Sequence, residues 1–196
     1  LTDLSLKDAL SRRRTVRQYS GKAVSISALE ALLHAAQGIT GDEGKRSAPS
    51  AHALYPLRLY VVAGDVDGLS PGLYAANPET LDLEPQHGTD LRAVLREAAI
   101  GQPEWVTDAA AIIVIAADMA GPSVHFAEQP PYGSRGTRYV HMEAGAAAQN
   151  LQLQAVAEGL GTVLVGGFHD EAVAKVLGLD APLAPLILQC VGHPAD

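Results

Sequence analysis

The stretch RSAPSAHALYPLRLYVVA, Arg46–Ala63, sets two problems at once. In its second half Leu57, Leu59, Val61 and Ala63 alternate with Arg58, Tyr60 and Val62. A period of two predicts a strand with one face well buried. The first half, small residues running from Pro49 to Pro56, is less polar than a plain connector. It suits a surface against which a flat or bulky object can lie.

Outward from this strand the chain alternates helices and strands. Upstream, SALEALLHAAQG reads as a helix, with Ser27 and Glu30 at capping-box spacing, Leu29, Leu32, Leu33 and Ala36 as its apolar stripe, and Gly38 past its end. Before it, Leu6, Ala9 and Leu10 predict a short amphipathic helix ending in Arg12, Arg13 and Arg14. Downstream, Leu73–Ala75 and Leu81–Leu83 flank the turn ANPET as a hairpin. TDLRAVLREAAIG predicts a helix with Leu91, Val94, Leu95 and Ala98 inward, and Ala110–Ala117 is apolar enough for a strand covered on both faces. The segment DMAGPSVHFAEQPPYGSRG reads as a long irregular loop of the kind that carries function. A long helix from about Arg138 to Glu158 follows, then a strand TVLVGGF, a short helix capped by Asp170, and a last strand in LAPLILQCVGHP. This order predicts one α/β or α+β domain, and the hairpin argues against a purely parallel sheet.

Composition narrows the class. The 196 residues are 47% hydrophobic and 18% charged, as a globular chain requires. A formal net charge of -8 argues against nucleic acid or an anionic membrane as partner. One cysteine, Cys190, excludes an internal disulfide and a cysteine-held metal cluster, and reads as a buried small residue. No stretch reaches the length of a membrane span, and the opening LTDLSLKDAL has no signal-peptide pattern, so the expectation is a soluble cytoplasmic protein.

Three elements suggest chemistry. Arg12, Arg13, Arg14 and Arg17 concentrate four of fourteen basic residues in six positions, with Thr15 among them. They fit either a phosphate site, through charge-assisted bidentate contacts, or a solvated helix end. In the long helix, Gly145, Ala146, Ala147 and Ala148 permit close approach of another helix or a planar ligand, or serve internal packing. Gly166 and Gly167 end a strand just after Val165, either as a turn or to bring bare backbone to a ligand. No GxGxxG, Walker A, HExxH or glycine-flanked nucleophilic serine is present, and the seven histidines form no metal-ligand pattern.

Taken together, SRRRTVRQYSG, PSAHALYPLRLYVV, GTRYVHMEAGAAAQNLQLQAVAEGLG, LVGGF and the closing VGHP resemble the nitroreductase-like flavoproteins, most nearly the SagB-type dehydrogenase branch. The resemblance implies an α+β three-layer fold with a mostly antiparallel central sheet flanked by helices, and a homodimer with FMN at the subunit interface. It implies that Arg13, Arg14, Thr15 and Arg17 hold the FMN phosphate and ribityl chain. Pro49, Ser50 and Ala53 would approach the flavin from the partner subunit, and Val165, Gly166 and Gly167 would pack by the ring. It further implies NAD(P)H-dependent reduction of nitroaromatic, quinone or similar electrophiles, with Tyr139 a candidate proton relay; His125, Phe126 and Tyr132 of the long loop either line the acceptor side or belong to an ordinary surface loop. Members that continue with a basic segment use it on the phosphate; this sequence ends at Asp196, so the N-terminal arginines are expected to carry that role. The alternatives are oxidation of azoline rings in peptides, for which Arg138 and Tyr139 are only a conceivable analogue of the lysine–tyrosine pair those enzymes use, and a cofactor-free binding module that keeps the fold.

Overall fold

The structure, a computed structural model, describes residues 4–195. In chain order the elements are α1 (Leu6–Arg12), β1 (Val24–Ser25), α2 (Ile26–Gln37), β2 (Leu57–Ala63), β3 (Val66–Asp67), β4 (Gly72–Ala76), β5 (Leu83–His87), α3 (Arg92–Ala98), α4 (Trp105–Asp108), β6 (Ala111–Asp118), α5 (Ala120–His125), α6 (Arg135–Ala157), β7 (Gly161–Val165), α7 (Asp170–Leu177) and β8 (Leu183–Gly192). Six strands form one sheet in the order β5-β4-β2-β6-β8-β7. Every pairing in it is antiparallel.

The sheet is covered on both faces. On one, α2 and α6 bring Leu29, Leu32, Leu33, Val140, Ala147 and Leu151 onto Val61, Ile113, Ile115, Ile187 and Val191. On the other, Leu95, Val106, Val173 and Leu177 from α3, α4 and α7 meet Val62, Ile112, Val114, Leu188 and Cys190. The result is a three-layer α+β architecture. The continuous apolar run of β6 belongs to its central place, since its neighbouring residues point into different cores. For the same reason Val62 is buried, where the alternation alone put it on the more open face. Cys190 is buried as expected, and burial pushes its thiol up to about 12, leaving it unreactive at neutral pH.

Several local expectations are corrected. Val24 pairs in parallel with Val66, which puts Ser25 rather than Ser27 at the entry to α2, where its hydroxyl accepts from the Ala28 N–H. The cap of α7 is His169, not Asp170, which lies in the first turn. Only Ala9 of α1 is buried, so Leu6 and Leu10 face outward, and Val94 is likewise exposed on α3. The long loop contains a helix, α5, because Asp118 Oδ1 accepts from the N–H groups of Ala120 and Gly121. Pro122 is tolerated there in the first turn, where no helical bond is lost.

Candidate functional site

The N-terminal arginines reach the sheet by way of its edge. Thr15 bridges to Thr162 of β7, and the Val16 N–H donates to the Thr162 carbonyl at 2.9 Å. Gly161 allows this approach, since a Cβ there would lie 2.7 Å from the Val16 side chain. The run is thereby fixed beside the start of β7, but its members differ. Arg13 is half-buried and donates from Nη1 to Gln152 Oε1 on α6 at 3.4 Å. Arg14 folds back onto the carbonyls of Ser11 and Arg13 at 2.9 and 2.7 Å. Arg17 lies 5.3 Å from the centre of the Trp105 ring, and Arg12 is exposed. Among these, Arg13 is the one turned toward the sheet.

From Arg13 a polar ladder leads across the sheet. Gln152 Nε2 donates to Gln189 Oε1 on β8 at 3.4 Å. Gln189 is the register partner of Leu164 on β7, and Leu164 is 42% exposed. Two residues on, Gly166 and Gly167 are exposed with ordinary φ values. A Cβ at Gly166 would meet only Leu164 Cδ2, at 3.8 Å, and one at Gly167 only Ile100, also at 3.8 Å. Neither backbone strain nor crowding within the chain requires these glycines. What they provide is bare backbone at an open surface. Val165 contributes backbone alone, because its side chain packs into the α3–α7 core. Arg13, Gln152, Leu164 and Gly166 thus mark one strip, about 13 Å from Thr162 to Gly166 at ~3.3 Å per strand residue.

Pro49, Ser50 and Ala53 are elsewhere. Their loop is held by Glu143 of α6, a buried carboxylate whose Oε1 accepts from the Ala51 N–H at 2.7 Å. Burial pushes the Glu143 carboxyl up; the bonds from Ala51 and the Ser50 hydroxyl pull it partly back. Ser50 Oγ also accepts from the Tyr55 N–H at 2.9 Å. His52, Ala53 and Tyr55 take left-handed φ values of 52°, 54° and 46°, each a strained choice for a residue with a side chain. The strain is held by packing. His52 Nδ1 lies 2.9 Å from His125 Nε2, and the His52, His125, Phe126 and Tyr139 rings meet edge to face. Such concentrated strain is a mark of functional loops.

A cavity of about 300 Å³ lies between this loop and α6, lined by Pro49, Ser50, Ala51, Tyr139, Met142 and Glu143. Tyr139 therefore belongs with the loop and not with the arginines; its hydroxyl donates to Gln129 Oε1 at 3.1 Å. Phe126, expected to line an open acceptor side, is buried instead, while His125 and Tyr132 are exposed. Glu143 and Gln152 are nine residues apart on α6, which at about 100° per residue places them on opposite faces. One chain therefore does not bring its own loop and strip together. A larger cavity, about 690 Å³, lies between α2 and the β4–β5 hairpin and holds none of these residues.

Glu143, Gln152 and Gln189 are the participants that sequence reasoning did not single out for a role. Gln189 had a readable signal, a lone amide inside the apolar run LILQCVG. Among the described residues no group of three or more His, Cys, Asp or Glu side chains could hold a metal ion, and no helix is long and apolar enough to cross a membrane.

The profile of the Nitroreductase family matches residues 10–193. A protein of Methanocaldococcus jannaschii named as a nitroreductase is 36% identical over 100% of this chain and 94% of its own length. Among solved structures, one titled as a nitroreductase from Anabaena variabilis superposes with a TM-score of 0.81 at 30% identity, covering 97% of this chain but only 38% of that longer one. A chain of the Escherichia coli microcin synthetase McbBCD complex, solved with truncated pro-MccB17 bound, superposes with a TM-score of 0.76 at 27% identity over 100% of this chain and 75% of that one. The matched span takes in the arginines, the strained loop, the long helix and the paired glycines, and the chain belongs to the nitroreductase family of oxidoreductases.

Proposed function

We propose that the protein is a cytoplasmic, FMN-dependent, homodimeric oxidoreductase that takes reducing equivalents from NADH or NADPH and passes them to a nitroaromatic, a quinone or a similar electrophile. The strip carries this reading, because it joins an inward-facing guanidinium to bare backbone across an apolar floor. A flavin mononucleotide presents its parts in the matching order: an anionic phosphate, a polyol and a flat ring.

The residues present fit that group. Arg13 would meet the phosphate with charge-assisted bonds, and the exposed Thr15 adds a hydroxyl beside it. Leu164 would give the ring an apolar floor. Gly166 and Gly167 would let backbone approach the ring without a side chain between, and N–H dipoles there would stabilise negative charge on it with little reorganisation. When bound, FMN supplies the reversible hydride acceptance that no side chain here offers. In net terms, NAD(P)H, a proton and a quinone give NAD(P)⁺ and the hydroquinone. The reduction requires no side-chain acid on the strip, with solvent supplying the proton.

The dimer rests on separate observations. Leu6, Leu10, Leu54, Met142 and Leu164 are all exposed in the single chain, Met142 by 66%. On α6 a Cβ at Gly145 would meet nothing within 4 Å, leaving the helix open to a second copy. The loop from Pro49 to Ala53, turned away from its own strip, is then available to cover the partner's.

Anaerobic stopped-flow spectroscopy of the FMN-loaded protein tests the reading. NADH or NADPH should bleach the flavin absorbance near ~450 nm, and a nitroaromatic or quinone should restore it with turnover. Protein that takes up no FMN would be a cofactor-free module. A second reading, oxidation of azoline rings in peptides, draws on the likeness to the microcin synthetase chain. Arg138 is exposed and, being a guanidinium, a poor proton acceptor beside Tyr139, which favours the reductase. Bleaching by a heterocyclic peptide, with neither nucleotide effective, would reverse that order.

A further inference from the structure

The ladder across the strip is loosely strung. Both of its side-chain bonds, Arg13 to Gln152 and Gln152 to Gln189, are 3.4 Å long, at the weak end for N–H···O. Gln189 is fully buried in a strand of otherwise apolar side chains, and its Nε2 has no partner among the described residues. A buried amide donor left unmade is costly, and here an aliphatic side chain would satisfy the packing. Gln152 above it is only partly buried, and one of its two N–H groups is uncommitted. It sits between the residue suited to a phosphate, Arg13, and the floor residue Leu164 that pairs with Gln189.

We infer that Gln152 reads the uncharged middle of the bound mononucleotide, a hydroxyl or ring carbonyl, and that Gln189 is the positioning residue holding the Gln152 carboxamide at the right height. The inference rests on the flavin reading above. The 3.4 Å bond from Arg13 is easily exchanged for a shorter one to a ligand, while the bond to Gln189 Oε1 orients the Gln152 amide from below. The ligand group is one that FMN and riboflavin share, which separates this role from that of Arg13.

The test compares FMN and riboflavin binding, by flavin fluorescence quenching, in the wild type, Gln152→Leu and Gln189→Met. Gln152→Leu should weaken both ligands alike, about three- to tenfold, the loss of one neutral hydrogen bond. Gln189→Met should weaken both alike by a smaller factor, while the ligand-free protein melts at the same temperature or higher because an unpartnered amide is gone. The visible spectrum of bound flavin should shift in both variants relative to wild type. Unchanged affinity for both ligands in Gln152→Leu, or a loss confined to FMN, overturns the inference. So does a Gln189→Met protein that melts several degrees lower with flavin affinity intact, since Gln189 would then serve the core alone. Wild-type protein that binds neither flavin would instead overturn the cofactor reading itself.

Discussion

Replacing Gly166 with alanine separates a glycine kept for the fold from one kept for a ligand. The backbone there has an ordinary φ, and the new methyl would meet only Leu164 Cδ2, at 3.8 Å, an unstrained contact. With no clash and no left-handed penalty, the substitution acts mainly by restricting the unfolded chain, which stabilises by about 0.4–1 kcal/mol. For a chain of 196 residues this corresponds to a rise in Tm of roughly 1–4 °C. Flavin binding should move the other way. The methyl stands over the Leu164 floor, in space that a ring lying on the strip would use, and overfilling a packed contact costs about 1–3 kcal/mol. That is roughly a 5- to 150-fold rise in Kd. Differential scanning fluorimetry of the ligand-free protein and fluorescence titration with FMN read the two effects on the same samples. A ligand-free protein melting several degrees below wild type would show that Gly166 serves internal packing. Unchanged FMN affinity would show that nothing lies over it.

Two other substitutions address the remaining parts. Arg13→Ala should raise the Kd for FMN about 10- to 150-fold, the worth of a charge-assisted bond of ~1.5–3 kcal/mol, and that for riboflavin far less; equal losses in the two titrations would make Arg13 a structural residue. Glu143→Gln keeps an oxygen to accept from Ala51 but cannot ionise. Since burial raises the folded-state pKa of Glu143, its contribution to stability is full below the unfolded-state value near 4.5 and is lost as pH rises through the raised value. Urea midpoints should therefore show wild type losing ground to the variant as pH rises from 4 to 8, and a difference that stays flat or moves toward wild type would contradict the assigned environment.

The parts of this fold that could be read from sequence are those in which one local period faces one environment. Leu29, Leu32, Leu33 and Ala36 meet a single flat core, so the stripe of α2 was plain. β6 was plain for the opposite reason, being apolar throughout. Leu6, Leu10 and Val94 misled because their helices are short and bury one narrow edge, leaving apolar side chains outside the single chain. The two-residue strands β1 and β3 carry too little pattern to register. In the candidate site, arginine and glycine stood out by composition, but which arginine turns inward depends on the bridge from Thr15 to Thr162, a contact spanning most of the chain. The left-handed turn at His52, Ala53 and Tyr55 was invisible because no glycine marks it. Its conformation is imposed from outside by Glu143 and His125.

The position of β8 bears on how the protein is made. Residues Leu183–Gly192 form an interior strand, laid between β6 and β7, although they follow both of those strands in sequence. Until they emerge, β7 has no neighbour in the sheet and the flank of β6 is open. A nascent chain stopped before Leu183 already carries Arg13 and both glycines, yet Gln189 is missing from beside Leu164 and the surface joining them does not exist. Domains begin to form during synthesis, and a chain stopped there would present an unfinished sheet with an exposed apolar edge. The interval before β8 inserts is therefore when these exposed apolar edges most need protection from aggregation.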